Sequence, residues 1–499
     1  MQIGSEVENI NFYKLFQNDS RIKYKFLNQN LGISENTNKA IEMSTGDYIA
    51  FLDHDDLLSK DALYEVVKCI NENEDVDFIY TDEDKIDENY ERFEPYFKPD
   101  FSPETLECNN YITHFVVVKR ELINKVGLLN SEFNGAQDFD FVLRATENAN
   151  RIVHISKILY HWRVHKTSTA SVADSKPYAY EAGIKVIEEH LKRTEKKGKV
   201  EYGQDVPGIY KIKYDVVGNP KVSILIPNKD NINLLKVCIN SILKLTTYKN
   251  YEICIIENNS EKDETFNYYE QISKLDNIKI LRYSGKNEFN YSALINFGVK
   301  NVDGDFILQL NNDTKLLTPD WLEVMIGYLT QNKEVGAIGA RLYYEDKTIQ
   351  HAGIIVGLAG FAGNMLVNLP YGKHAYFGRE AATRNVSAVT GACLFSRREV
   401  YEQVNYMDEI NFKVALNDVD FCLKIIEKGY RIVYNPYIEL IHFESKSRGY
   451  EYSKKQEERF KKEISNFKEK WKNYIQKGDP YYNKNFSRES CDFDILMSN

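Results

Sequence analysis

The chain has 499 residues, 43% of them hydrophobic, which is enough for two or three domains, each with its own core. A formal net charge of −10, with 28% charged residues, argues against nucleic acid as a partner, since that needs a broad basic face; it leaves room for a local basic groove around a diphosphate. No run of about 18 apolar residues occurs, so no transmembrane segment is expected, and MQIGSEVENINFYK at the N-terminus has acids and amides where a signal peptide needs an apolar stretch.

In chain order, the first strong element is GDYIAFLDHDDLL (46–58), an apolar strand that ends in Asp53, Asp55 and Asp56. Hard carboxylate oxygens at a strand end suit Mg²⁺ or Mn²⁺; the plainer alternative is a solvated acidic turn leading into the helix near Ser59. GAQDFDFVLR (135–144) opens a helix-period segment with Asp138, a candidate general base or simply a cap. LYHWRVHKTS (159–168) supplies His165, and residues 178–191 read as an amphipathic helix. A polar stretch over 196–220, rich in Gly and Pro, marks the boundary, with a linker at 201–220.

KVSILIPNKD (221–230) and YEICIIENNS (251–260) are buried strands ending in polar loops, with a helix (233–245) between them. This order predicts a right-handed βαβ unit, whose ligand lies at the carboxyl ends of the strands. Asn228, Asp230, Glu257, Asn259 and Asp313 all fall at such ends. GDFILQLNNDTKLL (304–317) repeats the first motif with Asn311, Asn312 and Asp313, and ALNDVDFCLK (415–424) repeats the second with Asp418. The distance from Asp53 to Asp138 is 85 residues, and from Asn311 to Asp418 it is 107. IQHAG (349–353) is a weaker candidate, in an acceptor loop. RNVSAVTGACLFSRR (384–398) places the small Thr390, Gly391 and Ala392 before a strand, where a sugar could approach the backbone or two segments could simply pack. ELIHFESKSRG (439–449) offers His442 as a metal ligand or phosphate donor, with Lys446 and Arg448 beside it. Residues 451–499 read as a long helix packing by one face, and a tail.

Two copies of one α/β architecture follow, over 1–200 and 221–450. The first begins too late: 89 residues separate Val222 from Asn311, whereas 52 precede Asp53. The counterparts of the two nucleotide-side strands are therefore expected to be missing from it. Seven cysteines without a C-x-x-C pair read as buried free thiols in a reducing, cytoplasmic compartment.

Together the motifs FLDHDD, YTDEDKID, FKPDFSPE, GAQDFDFVLR and LYHWRVHKTS, then VSILIPNKD, IIENNS, FNYSALINFGV, LNNDT, DWL, IQHAG, VTGACLFSRR and LNDVDFCLK, resemble the inverting glycosyltransferase family two with the GT-A fold. The likeness is to its tandem-domain, rhamnosyltransferase-like and surface-polysaccharide members, and it covers nearly the whole chain. It implies two mostly parallel, Rossmann-like domains and a metal-dependent hexosyltransferase. The enzyme would use a divalent cation (Mn²⁺ or Mg²⁺) and a UDP- or dTDP-sugar donor. The acceptor would be a glycan or lipid-linked saccharide, met at the inner face of the membrane by peripheral association. It further implies that Pro227, Asn228, Asp230, Glu257, Asn259 and Asn311 line the nucleotide pocket, with Asn296 supporting the donor. Asp313 and His442 would hold the metal, with Asp53 and Asp55 in the first copy, and Asp418 and Asp138 would be the bases. The second metal motif departs from the pattern, with one acid in place of two or three. The competing readings are a non-catalytic glycan-binding or scaffold protein, and a nucleotidyltransferase, whose glycine-rich phosphate loop IPNKD does not resemble.

Overall fold

A computed structural model describes residues 18–164, 177–203, 206–285, 289–443 and 453–496. His165, Lys446 and Arg448 lie outside them. The chain divides into two compact units: Met1–Lys196 with Val200–Tyr210, and Lys197–Lys199 with Lys211–Asn499. The stretch expected to be a linker, 201–220, contains the end of one strand (β7, Gly198–Tyr202) and all of another (β8, Tyr210–Tyr214).

The first unit contains α1 (Ile33–Met43), β1 (Tyr48–Ala50), β2 (Leu57–Leu58), α2 (Ala62–Glu72), β3 (Phe78–Ile86), β4 (Arg92–Tyr96), α3 (Pro103–Cys108), β5 (Val116–Lys119), α4 (Arg120–Val126), α5 (Gln137–Asn148), β6 (Ile152–Arg163) and α6 (Pro177–Arg193). Its sheet runs β1-β5-β3-β6-β2, with β4 beside β3. Only β3 and β6 pair in parallel. Strands β1 and β5 form an antiparallel ladder, and among the described residues no strand lies on the other side of β1.

The second unit opens with the alternation the sequence predicts: β9 (Val222–Asn228), α7 (Ile232–Leu245), β10 (Tyr251–Glu257), α8 (Asp263–Ile272) and β11 (Ile278–Arg282). Strands β9 and β10 are near-continuous apolar runs because helices cover both faces of a parallel sheet. Helix α7 turns Leu235, Cys238, Ile239 and Ile242 inward at helical spacing. Next come α9 (Tyr291–Lys300), β12 (Phe306–Leu310), β13 (Thr314–Leu316), α10 (Trp321–Gln331), β14 (Val335–Tyr343), β15 (Ile349–His351), β16 (Ile354–Val356), β17 (Ala362–Asn364), β18 (Arg384–Val386), β19 (Cys393–Arg397), α11 (Arg398–Gln403), α12 (Asn417–Glu427) and β20 (Arg431–His442). Gly298 lets α9 lie flat on the sheet, since a Cβ there would stand 2.6 Å from Ile256 and 3.0 Å from Leu225.

The main sheet runs β11-β10-β9-β12-β19-β14-β20-β13. Its wing β11-β10-β9-β12 is parallel. Beyond it, β19 is antiparallel to both of its neighbours and β14 pairs with β20 in parallel again, so the α/β sheet expected from the sequence is present with antiparallel strands added to it. The chain closes with α13 (Lys454–Lys470), α14 (Lys472–Lys477) and a packed tail. The single helix expected after 450 is thus two, broken at Trp471. All seven cysteines are free thiols, six of them buried.

Candidate active site

In the parallel wing, the carboxyl ends of adjacent strands share one edge of the sheet. Glu257 and Asn228 are register partners at the ends of β10 and β9. The Asn228 side-chain carbonyl accepts from Asn312 Nδ2 at 2.6 Å, and its amide donates to the Tyr269 hydroxyl at 2.7 Å. Asn311 N donates to the Ala392 carbonyl at 3.1 Å, and Gly391 N donates to Asp418 Oδ2 at 2.9 Å. Glu257, Asn228, Asn312, Asn311, Ala392, Gly391 and Asp418 therefore form one unbroken line of neighbours along the edge.

The residues expected to hold a metal in this unit are His442, at the end of β20, and Asp313, after β12. His442 Nδ1 lies 2.7 Å from the Gln350 side-chain carbonyl. A carbonyl can only accept, so the proton belongs on Nδ1 and the lone pair on Nε2. That nitrogen faces Asp313 Oδ1 at 3.2 Å and Asn311 Nδ2 at 3.2 Å. A lone pair and a carboxylate oxygen at this separation match two ligands of one cation, each bound at about 2.0–2.2 Å. The donor set fits a divalent ion, with substrate oxygens completing its shell.

Asp418 lies in the first turn of α12, where the helix dipole favours a carboxylate. Burial raises its pKa, against the lowering hydrogen bonds from the Gly391 and Val419 N–H groups. A carboxyl moved toward neutrality is a stronger base than a solvated one.

Other residues singled out from sequence have different surroundings. Glu257 accepts from Ser260 N at 2.5 Å and from the Ser260 hydroxyl at 2.6 Å. Asn259 sits at positive φ, as do Asp230 and Asn231, a conformation that Asn and Asp tolerate better than most residues. Asp230 accepts from the backbone of Glu261 and Lys262 and from the Thr265 hydroxyl, each at 3.1–3.3 Å, so it caps the entry to α8. Pro227 is buried in β9 opposite Ile256. Asn296 is also buried: its amide donates to the Met407 carbonyl and to Glu409, and its own carbonyl accepts from Met407 N. These bonds tie α9 to the loop before α12. His351, in IQHAG, is a neutral structural residue. Its Nδ1 meets Asn364 at 2.7 Å, its Nε2 accepts from Gly353 and Thr390 N–H, and burial lowers its pKa to about 4.

In the first unit, ligand atoms of Asp53, Asp56 and His114 lie within 4.8 Å of one another. Asp55 is not in this group. The turn that bonds Asp56 N to the Asp53 carbonyl sends the Asp55 side chain outward beside His54, 42% exposed, and buries Asp56. Asp56 takes the Tyr160 hydroxyl on one oxygen and Arg163 N on the other. Burial raises its pKa. His114 Nδ1 lies 3.3 Å from Glu83, and its Nε2 is 4.0 Å from Asp53. Burial pulls the His114 pKa down, but the charge and hydrogen bond of Glu83, with the charge of Asp53, together outweigh it and the net shift is upward. Asp138 accepts from Asn110 at 3.0 Å. Its surface remains exposed, yet the protein around it raises its pKa by desolvation, with His114 and Asp53 close enough to contribute. No sequence signal marks His114: it comes near Asp53 only because β5 pairs with β1 in the fold.

The sequence model of glycosyl transferase family 2 matches residues 8–127 and 223–405. An uncharacterized protein of Sinorhizobium fredii, y4gI, is 42% identical over 484 residues, which are 96% of this chain and 53% of that protein. The O-antigen biosynthesis protein RfbC of Myxococcus xanthus is 37% identical over 433 residues, 87% of this chain and 33% of its own length. The chain thus spans about half of the one and a third of the other. Among solved structures, GalNAc-T7 with UDP, GalNAc and Mn²⁺ superposes with a TM-score of 0.43 at 14% identity, over 55% of this chain and 52% of that one. The mannosyltransferase PcManGT of Pyrobaculum calidifontis, with GDP-Man and Mn²⁺, gives 0.36 at 15% identity, over 56% and 69%. No described helix is long and apolar enough to cross a membrane. Because the family's sequence pattern covers more than half of the residues and falls in both units, this chain belongs to glycosyl transferase family 2.

Proposed function

We propose that the second unit transfers a sugar from a nucleotide-sugar donor to a hydroxyl of a surface-glycan acceptor, with inversion at the anomeric carbon. The observation that carries this reading is the line of strand-end contacts joining Asn228 to Asp418, with Asp313 and His442 beside it. Asn228, Glu257 and the loops after them hold the nucleotide side. Asp313 and His442 hold a divalent cation, which supplies charge neutralisation for the departing diphosphate. Asp418, across β19, takes the proton of the acceptor hydroxyl as it attacks. One base on the face opposite the leaving group gives single displacement, hence inversion.

The O-antigen role in the name of the Myxococcus relative supports an acceptor in polysaccharide synthesis, lipid-linked and met at the inner face of the membrane. In the first unit, Asp53, Asp56, His114 and Asp138 form a similar cluster, but strands equivalent to β9 and β10 are not among its described elements. We assign it acceptor binding or support.

Asp418→Asn tests the reading. Turnover of a donor identified by thermal shift with Mn²⁺ is expected to fall at least about 100-fold, with donor affinity within about twofold because the base does not hold the nucleotide. Wild-type turnover in this variant would remove Asp418 from the role.

A further inference from the structure

We propose that helix α13 sets the working position of Asp418, with Glu463 and Lys470 as positioning residues. The inference rests on the reading of Asp418 as the base.

The loop 411–416 delivers the chain into α12, and its backbone polar groups are divided between two helices. Two carbonyls face α9: Lys413 O accepts from Tyr291 N at 2.7 Å, and Phe412 O accepts from the Ser292 hydroxyl; a third, Asn411 O, accepts from Asn466 on α13 at 3.2 Å. The N–H groups face α13: those of Lys413, Val414 and Ala415 all donate to the Glu463 carboxylate, at 2.9, 3.0 and 3.0 Å. Glu463 is only 3% exposed. Three convergent N–H groups make a concave anion site in a loop; here a side chain 48 to 50 residues further along the chain fills it.

A second clamp grips α12 itself. Asp420, two residues after the base and fully buried, pairs with Lys470 Nζ at 2.6 Å and accepts from Trp471 Nε1 at 2.9 Å. Phe467 packs edge-on against Phe412 between the two clamps. Asp418 lies between the loop that Glu463 holds and the residue that Lys470 holds. Leu416, at the N-cap, is at positive φ and offers no capping side chain, so the start of the helix lacks the usual side-chain anchor.

This geometry separates positioning from binding. The donor-side residues Asn228 and Glu257 sit at the ends of β9 and β10, and their side-chain hydrogen bonds among the described residues run to Asn312, Tyr269 and Ser260 rather than to α13. Loosening the clamp therefore affects the chemical step and leaves the donor pocket in place.

The test uses the full chain with Glu463→Ala, Glu463→Gln, Lys470→Met and Asp418→Asn. The probes are UDP-glucose, UDP-GalNAc, GDP-mannose and dTDP-rhamnose with Mn²⁺, taking forward whichever raises the melting temperature. Two quantities are read: amide exchange by mass spectrometry, and donor turnover as released nucleotide. For Glu463→Ala, exchange in peptides covering 411–420 should rise about tenfold while that in β9 and β10 stays unchanged. Turnover at saturating donor should fall about 10- to 100-fold, with donor KM within about twofold. Glu463→Gln keeps the oxygen that serves two of the three N–H groups and should lie between. If Glu463→Ala does not fold, the same pattern in Glu463→Gln and Lys470→Met decides the matter. Wild-type exchange over 411–420, or faster exchange with wild-type turnover, would overturn the proposal. Asp418→Asn should lose turnover with normal exchange; if it turns over normally, the assignment of the base fails, while the exchange data still report on the clamp.

Discussion

His442 can serve as a metal ligand because of a neighbour rather than because it is a histidine. The Gln350 carbonyl at 2.7 Å places the proton on Nδ1 and aims the Nε2 lone pair at Asp313. Outer partners of this kind fix both tautomer and ring orientation, and losing one typically costs about 10- to 100-fold in metal affinity. Gln350→Leu has nearly the same volume and is expected to weaken Mn²⁺ binding by about that factor in the presence of UDP. Titration calorimetry, or the loss of the free-Mn²⁺ resonance, would measure it. Unchanged affinity would mean that Asp313 and Asn311 hold the ion without His442. The residue scale also shows why a list of polar side chains is not yet a site. Asn296, Asp230 and Asp418 were all placed near the donor from sequence. Asn296 spends its amide on Met407 and Glu409, and Asp230 spends its carboxylate on the start of α8. Asp418 keeps a raised pKa beside the backbone of Gly391.

Helix and strand ends concentrate the chemistry, and Asp230 shows how structure and function can be told apart there. Its carboxylate satisfies N–H groups ahead of α8 that would otherwise lack partners, the usual work of a cap. Replacing a capping Asp by Ala costs about 1 kcal/mol, so Asp230→Ala should lower stability to urea by about that amount, while Asp230→Asn should lose less. A donor affinity that fell more than tenfold with stability unchanged would show that Asp230 touches the nucleotide instead. The elements of the second unit were legible because they are long and periodic. VSILIPN and YEICIIE are near-continuous apolar runs, as parallel strands between helices require, interrupted before their polar ends by the cross-strand pair of Ser223 and Glu252. GDFILQL announced its strand and its turn together. The first unit was harder to read. Its strand β1 has three residues, too few for a period to show. His114 was missed for a related reason: it lies opposite Asp53 only through the β1–β5 register, and one sequence shows no register. The role of Glu463 was hidden too, since three N–H groups of a loop leave no trace in side-chain identity.

Taken whole, the molecule joins two units of one family whose electrostatic economies differ. The first unit is crossed by buried histidines held between carboxylates. His154 lies between Asp82 at 2.9 Å and Asp100 at 3.1 Å, and stacks on Tyr80. His190 lies between Glu147 at 2.7 Å and Glu107 at 3.1 Å, with Arg193 and Lys196 on the same two acids. Burial lowers both histidine pKa values, and the carboxylate hydrogen bonds and charges more than reverse it, so both end above the usual value. A folded pKa raised above the unfolded one, near 6.5, means that the charged ring favours folding. That contribution is fully present below about pH 6.5 and is lost as pH rises through the folded pKa. The second unit holds its buried His351 the opposite way, neutral, with a pKa lowered to about 4, so the same rise in pH leaves it unaffected. Calorimetry of the full chain is therefore expected to show a transition whose midpoint falls between pH 6 and pH 8. His190→Gln can accept and donate but cannot carry charge, so it should destabilise that transition at pH 6 and flatten its pH dependence. The Tm difference between wild type and variant should shrink toward pH 8, because the wild-type ring is then losing the proton that the variant never had. A difference that stays constant across this range would show that His190 is folded in as a neutral ring, with Lys196 and Arg193 alone balancing the two glutamates.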